Sequence, residues 1–161
     1  MSTIMESPAG SASRSDERVR MVALDRDECL SLLAAHHFGR LIAVNNGRPL
    51  IRPVNYAFDP ASQSVVFRTD GGTKFRALLG ATKAAFEVDG FDARLGTGWS
   101  VIIHGVVAEL RAPGDIARAE RLGVRPGAPG PMSHWLRIRA WTVSGRRIVR
   151  PCRSVPAQYL G

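Results

Sequence analysis

Cysteine is almost missing from this 161-residue chain, which has only Cys29 and Cys152. Two thiols are too few for a disulfide framework, so a reducing compartment is the default and a cytoplasmic location is expected. Lysine is rarer than arginine by 2 to 20, a ratio that GC-rich codon usage produces without any functional cause. No apolar run approaches the roughly 18 residues of a spanning helix, so no membrane association is expected. The first stretch, MSTIMESPAGSASRSDERVR, has no apolar centre and does not read as a secretory leader. Acids are missing from one whole region. Met1 to Glu120 holds 14 basic and 14 acidic residues, whereas the rest holds eight arginines and no acid, so the net +8 lies there entirely.

What remains is the composition of a folded chain, 45% hydrophobic and 22% charged, which excludes global disorder. The length suits one domain, expected over residues 21–155 between flexible tails at 1–20 and 156–161. Leu24 to His36 reads as a short amphipathic helix, with Asp25 and Glu28 spaced as a capping box. Strands are expected at Leu41 to Val44 and Pro49 to Phe58, joined by the hairpin signal Asn45-Asn46-Gly47, and then at Val65 to Thr69. Within the second, Arg52, Val54, Tyr56 and Phe58 share one face, and Ile51, Pro53, Asn55 and Ala57 share the other. Thr73 to Leu79 reads as a short helix. Further strands are expected at Ala84 to Val88 and Trp99 to Leu110. The latter is apolar on both faces, as suits a barrel wall covered by a helix or a second subunit. A surface helix capped by Asp115 follows, to Leu122. Trp135 to Ala140 and Thr142 to Val149 close the domain as two strands around Val143-Ser144-Gly145. Short strands, regular turns and few helices indicate a mainly β, antiparallel barrel.

The segment Phe67 to Lys74, FRTDGGTK, carries the strongest chemical signal. A strand delivers Arg68 and Thr69, two glycines turn the chain, and Thr73 and Lys74 open a helix, a combination suited to a phosphate. A plain Gly-Gly hairpin with solvated charges accounts for the same residues. Arg52, set among apolar neighbours, is either paired with an acid or aimed at an anionic or electron-rich ligand. Trp99, Trp135 and Trp141 suit stacking on a ligand as well as core packing. No zinc spacing and no nucleophile elbow occurs, so a metal enzyme or a hydrolase has no support.

GRLIAV (Gly39 to Val44), NGRPLIRPVNY (Asn46 to Tyr56), FRTDGGTK, FEVDGFD (Phe86 to Asp92), GWSVIIHG (Gly98 to Gly105) and SGRRI (Ser144 to Ile148) follow one another in order. Together they resemble the pyridoxamine 5′-phosphate oxidase-like, flavin-binding split β-barrel family, and within it the short bacterial branch akin to nitroimidazole-resistance proteins. The resemblance spans about residues 22 to 150. It implies a six-stranded antiparallel split β-barrel with a few short helices, working as a homodimer with FMN at the subunit interface. It further implies that Arg68, Thr69 and Lys74 take the phosphate, and that Arg52, Pro53, Val54 and Asn55 run along the isoalloxazine ring or ribityl chain. Trp99, Ser100, Trp141 and Arg147 would approach the cofactor, from the partner subunit. The chain carries no C-terminal arginine–histidine set for a substrate phosphate, which speaks against pyridoxamine phosphate as substrate.

The function expected is that of a flavin-dependent oxidoreductase acting on a small molecule, with a deazaflavin coenzyme as the alternative to FMN. A second reading is a sensing or storage module without turnover that binds flavin or haem, with His104 or His36 as an axial ligand. A third, nucleic-acid binding through the basic C-terminal region, lacks any recognition motif and is not expected. Placed on the closing strands, the basic excess reads as a field directed at an anionic cofactor.

Overall fold

The computed structural model describes residues 19–70, 83–125 and 133–150. Among them the chain forms β1 (Arg20–Leu24), α1 (Arg26–Ala35), β2 (Phe38–Asn45), β3 (Arg48–Asp59), β4 (Ser64–Thr69), β5 (Ala84–Asp92), β6 (Thr97–Gly105), β7 (Val107–Glu109), α2 (Pro113–Arg121), β8 (His134–Arg139) and β9 (Thr142–Val149). The strands form one antiparallel sheet in the order β1-β9-β6-β5-β2-β3-β4-β8-β7. The architecture is the mainly β, split-barrel-like fold with few helices that the sequence implied. Among the described residues it has nine strands where six were expected, with β1 and β7 as short edge strands.

The long strand β3 makes the split. Arg48 to Asn55 pair with β2, and Tyr56 to Asp59 pair with β4 instead. Arg68 and Thr69 therefore run past the β3 ladder and pair only with Trp135 and His134 of β8. The sheet curls so that the end of β6 comes against β8, with Gly105 close to the Arg139 carbonyl, and Trp141 N–H donates to the His104 carbonyl at 2.9 Å. Local chemistry sets the turns. Asn46 (φ 50) and Gly47 (φ 74) close the β2–β3 hairpin in the left-handed region, where asparagine and glycine are tolerated. Asp59 takes the Ala61 N–H at 3.1 Å and the Ser62 hydroxyl at 2.6 Å to close the next turn.

One core fills the barrel: Leu33, Leu41, Tyr56, Val65, Phe67, Phe86, Val101, Ile103, Leu136 and Ile138 are buried within it. α1 plugs one end. Its capping box forms as expected, with Asp25 Oδ1 accepting from Glu28 N–H at 2.8 Å and Glu28 Oε2 from Asp25 N–H at 3.0 Å. The Tyr56 hydroxyl reaches back to the Leu33 carbonyl at 2.8 Å. Cys29 lies buried under β9. Burial first, and then the charges of Asp25 and Glu28, push its thiol pKa up, which suits an inert core residue. A smaller cluster (Val66, Leu110, Ala119, Trp135) lies where α2 covers the outer face of β4 and β8.

Four expectations need correction. The run Trp99 to Leu110 is two strands, broken at Val106, because Gly105 presses on the Arg139 carbonyl where a side chain would collide. Val143-Ser144-Gly145 is no turn but lies inside β9. A Cβ at Gly145 would stand 2.6 Å from Cys29 Sγ, so the glycine makes room for α1. The cap of α2 is Ala112, with Pro113 opening the helix and Asp115 in its first turn. Arg20 to Leu24 begins the ladder as β1, where Arg20 was expected in the tail and Leu24 at the start of the helix. The helix expected at Thr73 to Leu79 lies outside the described residues.

Candidate functional site

Arg52 lies on the core-facing side of β3, in line with Val54, Tyr56 and Phe58, at the stretch that leads into the split. Its cross-strand neighbour is Leu41, a fully buried core residue. The Arg52 Nε is buried and has no hydrogen-bond partner among the described residues. An unmet buried donor costs about 1–3 kcal/mol, so a fold keeps one where a ligand supplies the acceptor. Pro53 and Asn55 point to the opposite face, and Asn55 Nδ2 donates to the Arg125 carbonyl at 3.0 Å. Beyond the end of the β3–β4 ladder come Arg68 and Thr69. The Arg68 guanidinium lies 5.0 Å from the Trp135 ring centre, a cation–π contact that holds it beside the opening. Trp135 is thus a core and positioning residue. Lys74 lies outside the described residues, and FRTDGGTK is seen only through Asp70.

The second group of expected residues lies elsewhere. Trp99 and Arg147 are register partners on β6 and β9, and Ser100 stands between Asp89 and Arg146. The Trp99 indole packs against the His36 ring, with centroids 4.6 Å apart, and lies over Gly90, where a Cβ would come within 2.7 Å of Nε1. Arg147 Nη1 is 3.6 Å from Glu28 Oε1 on α1. These residues border an open groove floored by Gly90, Gly98 and Trp99 and flanked by Phe91 and Ile148. β3 and β6 are three ladder steps apart, roughly 14 Å at about 4.8 Å per step. Trp141 sits at the bend before β9, 59% exposed, roughly 20 Å along the chain from Arg147 at about 3.3 Å per residue. One chain therefore holds Arg52 to Asn55 with Arg68 and Thr69 at the split, and Trp99, Ser100 and Arg147 three strands away.

Of the histidines weighed for haem, His36 has Nδ1 2.9 Å from the Leu32 carbonyl, and His104 has Nδ1 3.2 Å from Thr142 Oγ1. The closing arginines do not all face one cleft: Arg137 lies 4.0 Å from Asp115, and Arg147 is matched by Glu28.

Sequence reasoning missed a cluster beside Thr69. His134 Nδ1 is 2.8 Å from Glu109 Oε1, and Arg111 Nε donates to Glu109 Oε2 at 2.8 Å. These hydrogen bonds, from His134 first and then Arg111, hold the Glu109 carboxyl below its ordinary value of 4.5. A lowered pKa gives stability that is full above the ordinary glutamate range and is lost as pH falls through the lowered value. Glu109→Gln is therefore expected to cost more stability at pH 7 than at pH 3, as read from urea unfolding at the two pH values. An equal loss at both would contradict the cluster.

Residues 25–147 match the pyridoxamine 5′-phosphate oxidase family. The chain is 34% identical to the uncharacterized Mycobacterium tuberculosis protein Rv0080 over 151 residues, 90% of this chain and 97% of that one. Its fold is similar to that of an FAD-binding protein from Mycobacterium smegmatis, with a TM-score of 0.68 and 32% identity over 78% of this chain and 98% of the other. An FAD-binding protein from Mesorhizobium loti superimposes with a TM-score of 0.67 at 23% identity, over 79% of this chain and 97% of that one.

Proposed function

The chain belongs to the pyridoxamine 5′-phosphate oxidase family, and on that footing we propose that it binds a flavin nucleotide at the split and works as a flavin-dependent oxidoreductase on a small molecule. The observation that carries the reading is the buried Nε of Arg52, unmet among the described residues, on the stretch of β3 that leads into the switch from β2 to β4. The described donors fit the group: a guanidinium for the electron-rich edge of an isoalloxazine, and Arg68 and Thr69 for a phosphate, to which the sequence adds Lys74. When bound, the flavin supplies the hydride or electron transfer, and the chain supplies binding and charge. Arg52 opposes charge that accumulates on the ring, while Arg68, steadied on Trp135, orients the phosphate end. FMN is the favoured form. FAD carries a phosphate at the same point and is the form bound by the 32%-identical M. smegmatis protein. Flavin fluorescence quenching with FMN, FAD and a deazaflavin tests the reading, with micromolar or tighter binding of at least one expected and none contradicting it.

The active form in this reading is a homodimer, in which a second copy brings Trp99, Ser100, Trp141 and Arg147 toward the cofactor. The outer face of β2 and β3 supports it. Phe38, Val44 and Ile51 are each more than half exposed, and the ladder sets Ile42 beside Ile51 and Val44 beside Pro49. Exposed apolar residues grouped around Ile42, Val44 and Ile51 suit an interface, with the Arg40–Asp89 ion pair between them and Phe38. Ile51→Lys should give a monomer at micromolar concentration in light scattering and weaken flavin binding with it. A dimer that persists, or a monomer that binds flavin as tightly, would count against the arrangement.

A further inference from the structure

Thr69 and His134 are register partners at the last rung of the β4–β8 ladder, on the stretch of β4 that has no β3 neighbour. Directly opposed residues hold their Cβ atoms roughly 5 Å apart, so the imidazole shares the surface of the Thr69 hydroxyl. The ring is held in place. Glu109, across the β7–β8 ladder, takes its Nδ1 side at 2.8 Å, and the His134 and Glu109 side chains are only 34% and 16% exposed. A carboxylate on one ring nitrogen orients a histidine. Among the described residues the charged groups that meet it are Glu109 from β7 and, through Glu109, Arg111 from the residues after β7. The Glu109 and Arg111 charges offset one another, so protonation of the imidazole adds one positive charge to this corner.

We propose that His134, oriented by Glu109, is an anion-binding residue of the split, and that it makes the site prefer a flavin bearing a phosphate monoester over one without it. The proposal rests on the flavin reading above. It adds a cation that the FRTDGGTK segment does not contain and makes the preference for phosphate depend on pH, since histidine changes charge between about pH 5 and 8.

The test compares FMN with riboflavin, which carries the same ring without the phosphate, in the wild-type chain and in His134→Gln at pH 6 and pH 8. The wild type should show an FMN-to-riboflavin affinity ratio about tenfold larger at pH 6, the effect of one charge-assisted contact. In His134→Gln the ratio should lose that excess, with riboflavin binding unchanged. The phosphate's own second ionisation is common to both proteins and cancels in the comparison. The same pH profile in both proteins would overturn the proposal. Should the variant not fold, proton NMR on the wild type decides. Inorganic phosphate should raise the midpoint of the His134 imidazole titration, and a midpoint left in place would overturn the proposal. Failure of both flavins to bind the wild type sinks the flavin reading instead, and the inorganic phosphate titration still judges His134.

Discussion

Arg52→Ala is expected to weaken flavin binding about 10- to 150-fold, the equivalent of one hydrogen bond to a charged group at about 1.5–3 kcal/mol. The same substitution should not lower the stability of the flavin-free protein. It removes a buried donor that has no partner among the described residues, and losing such a group relieves a desolvation cost. Opposite signs for binding and stability separate a ligand contact from a structural one. Arg52→Lys keeps the charge and loses the planar fork, so it should recover only part of the affinity. Flavin titration and urea unfolding on the three proteins measure both quantities. A clear stability loss in Arg52→Ala with flavin affinity intact would make Arg52 a structural residue.

Phe86→Ala carries the largest expected effect on stability, a loss of about 3–5 kcal/mol, typical of emptying a phenylalanine site in a core. Phe86 is fully buried on β5 and stands edge-on to Tyr56 at 4.9 Å between ring centres. Tyr56 in turn bonds the Leu33 carbonyl of α1, so the ring couples the sheet to the helix that plugs it. It also lies under Gly39, where a Cβ would come within 2.5 Å of its Cζ. Strands β2, β3 and β5 thus share one packing point directly beneath the split. The melting temperature should fall by about 10 °C, at roughly 2–4 °C per kcal/mol for a domain of this size. A shift of only a degree or two would mean that this packing is not what holds the sheet curled.

What could be read from the sequence was governed by short-range chemistry. The capping box of α1 and the Asn46-Gly47 hairpin depend on residues within four positions, and both formed where expected. The alternation of β3, which sets Arg52 on the core face, follows from the strand period alone. What stayed hidden depends on distant partners. Gly145 looks like a turn residue until Cys29, 116 positions away, is seen to need its space. Gly105 breaks an apolar run only because the Arg139 carbonyl lies against it. Glu109 and His134, 25 residues apart, have no shared motif, and only the β7–β8 pairing brings them together. The C-terminal charge excess was visible, but its direction was not. Arg137 and Arg147 meet Asp115 and Glu28 from the balanced part of the chain, so part of that charge is matched within the fold.

The central claim, that the split holds a flavin, is tested most directly by purifying the protein from its native source and recording its absorbance spectrum and the mass of whatever it releases on denaturation. The account predicts a flavin spectrum and one flavin nucleotide released per chain. A colourless protein that releases no such molecule, and takes up none of FMN, FAD or a deazaflavin at micromolar concentration, would contradict it.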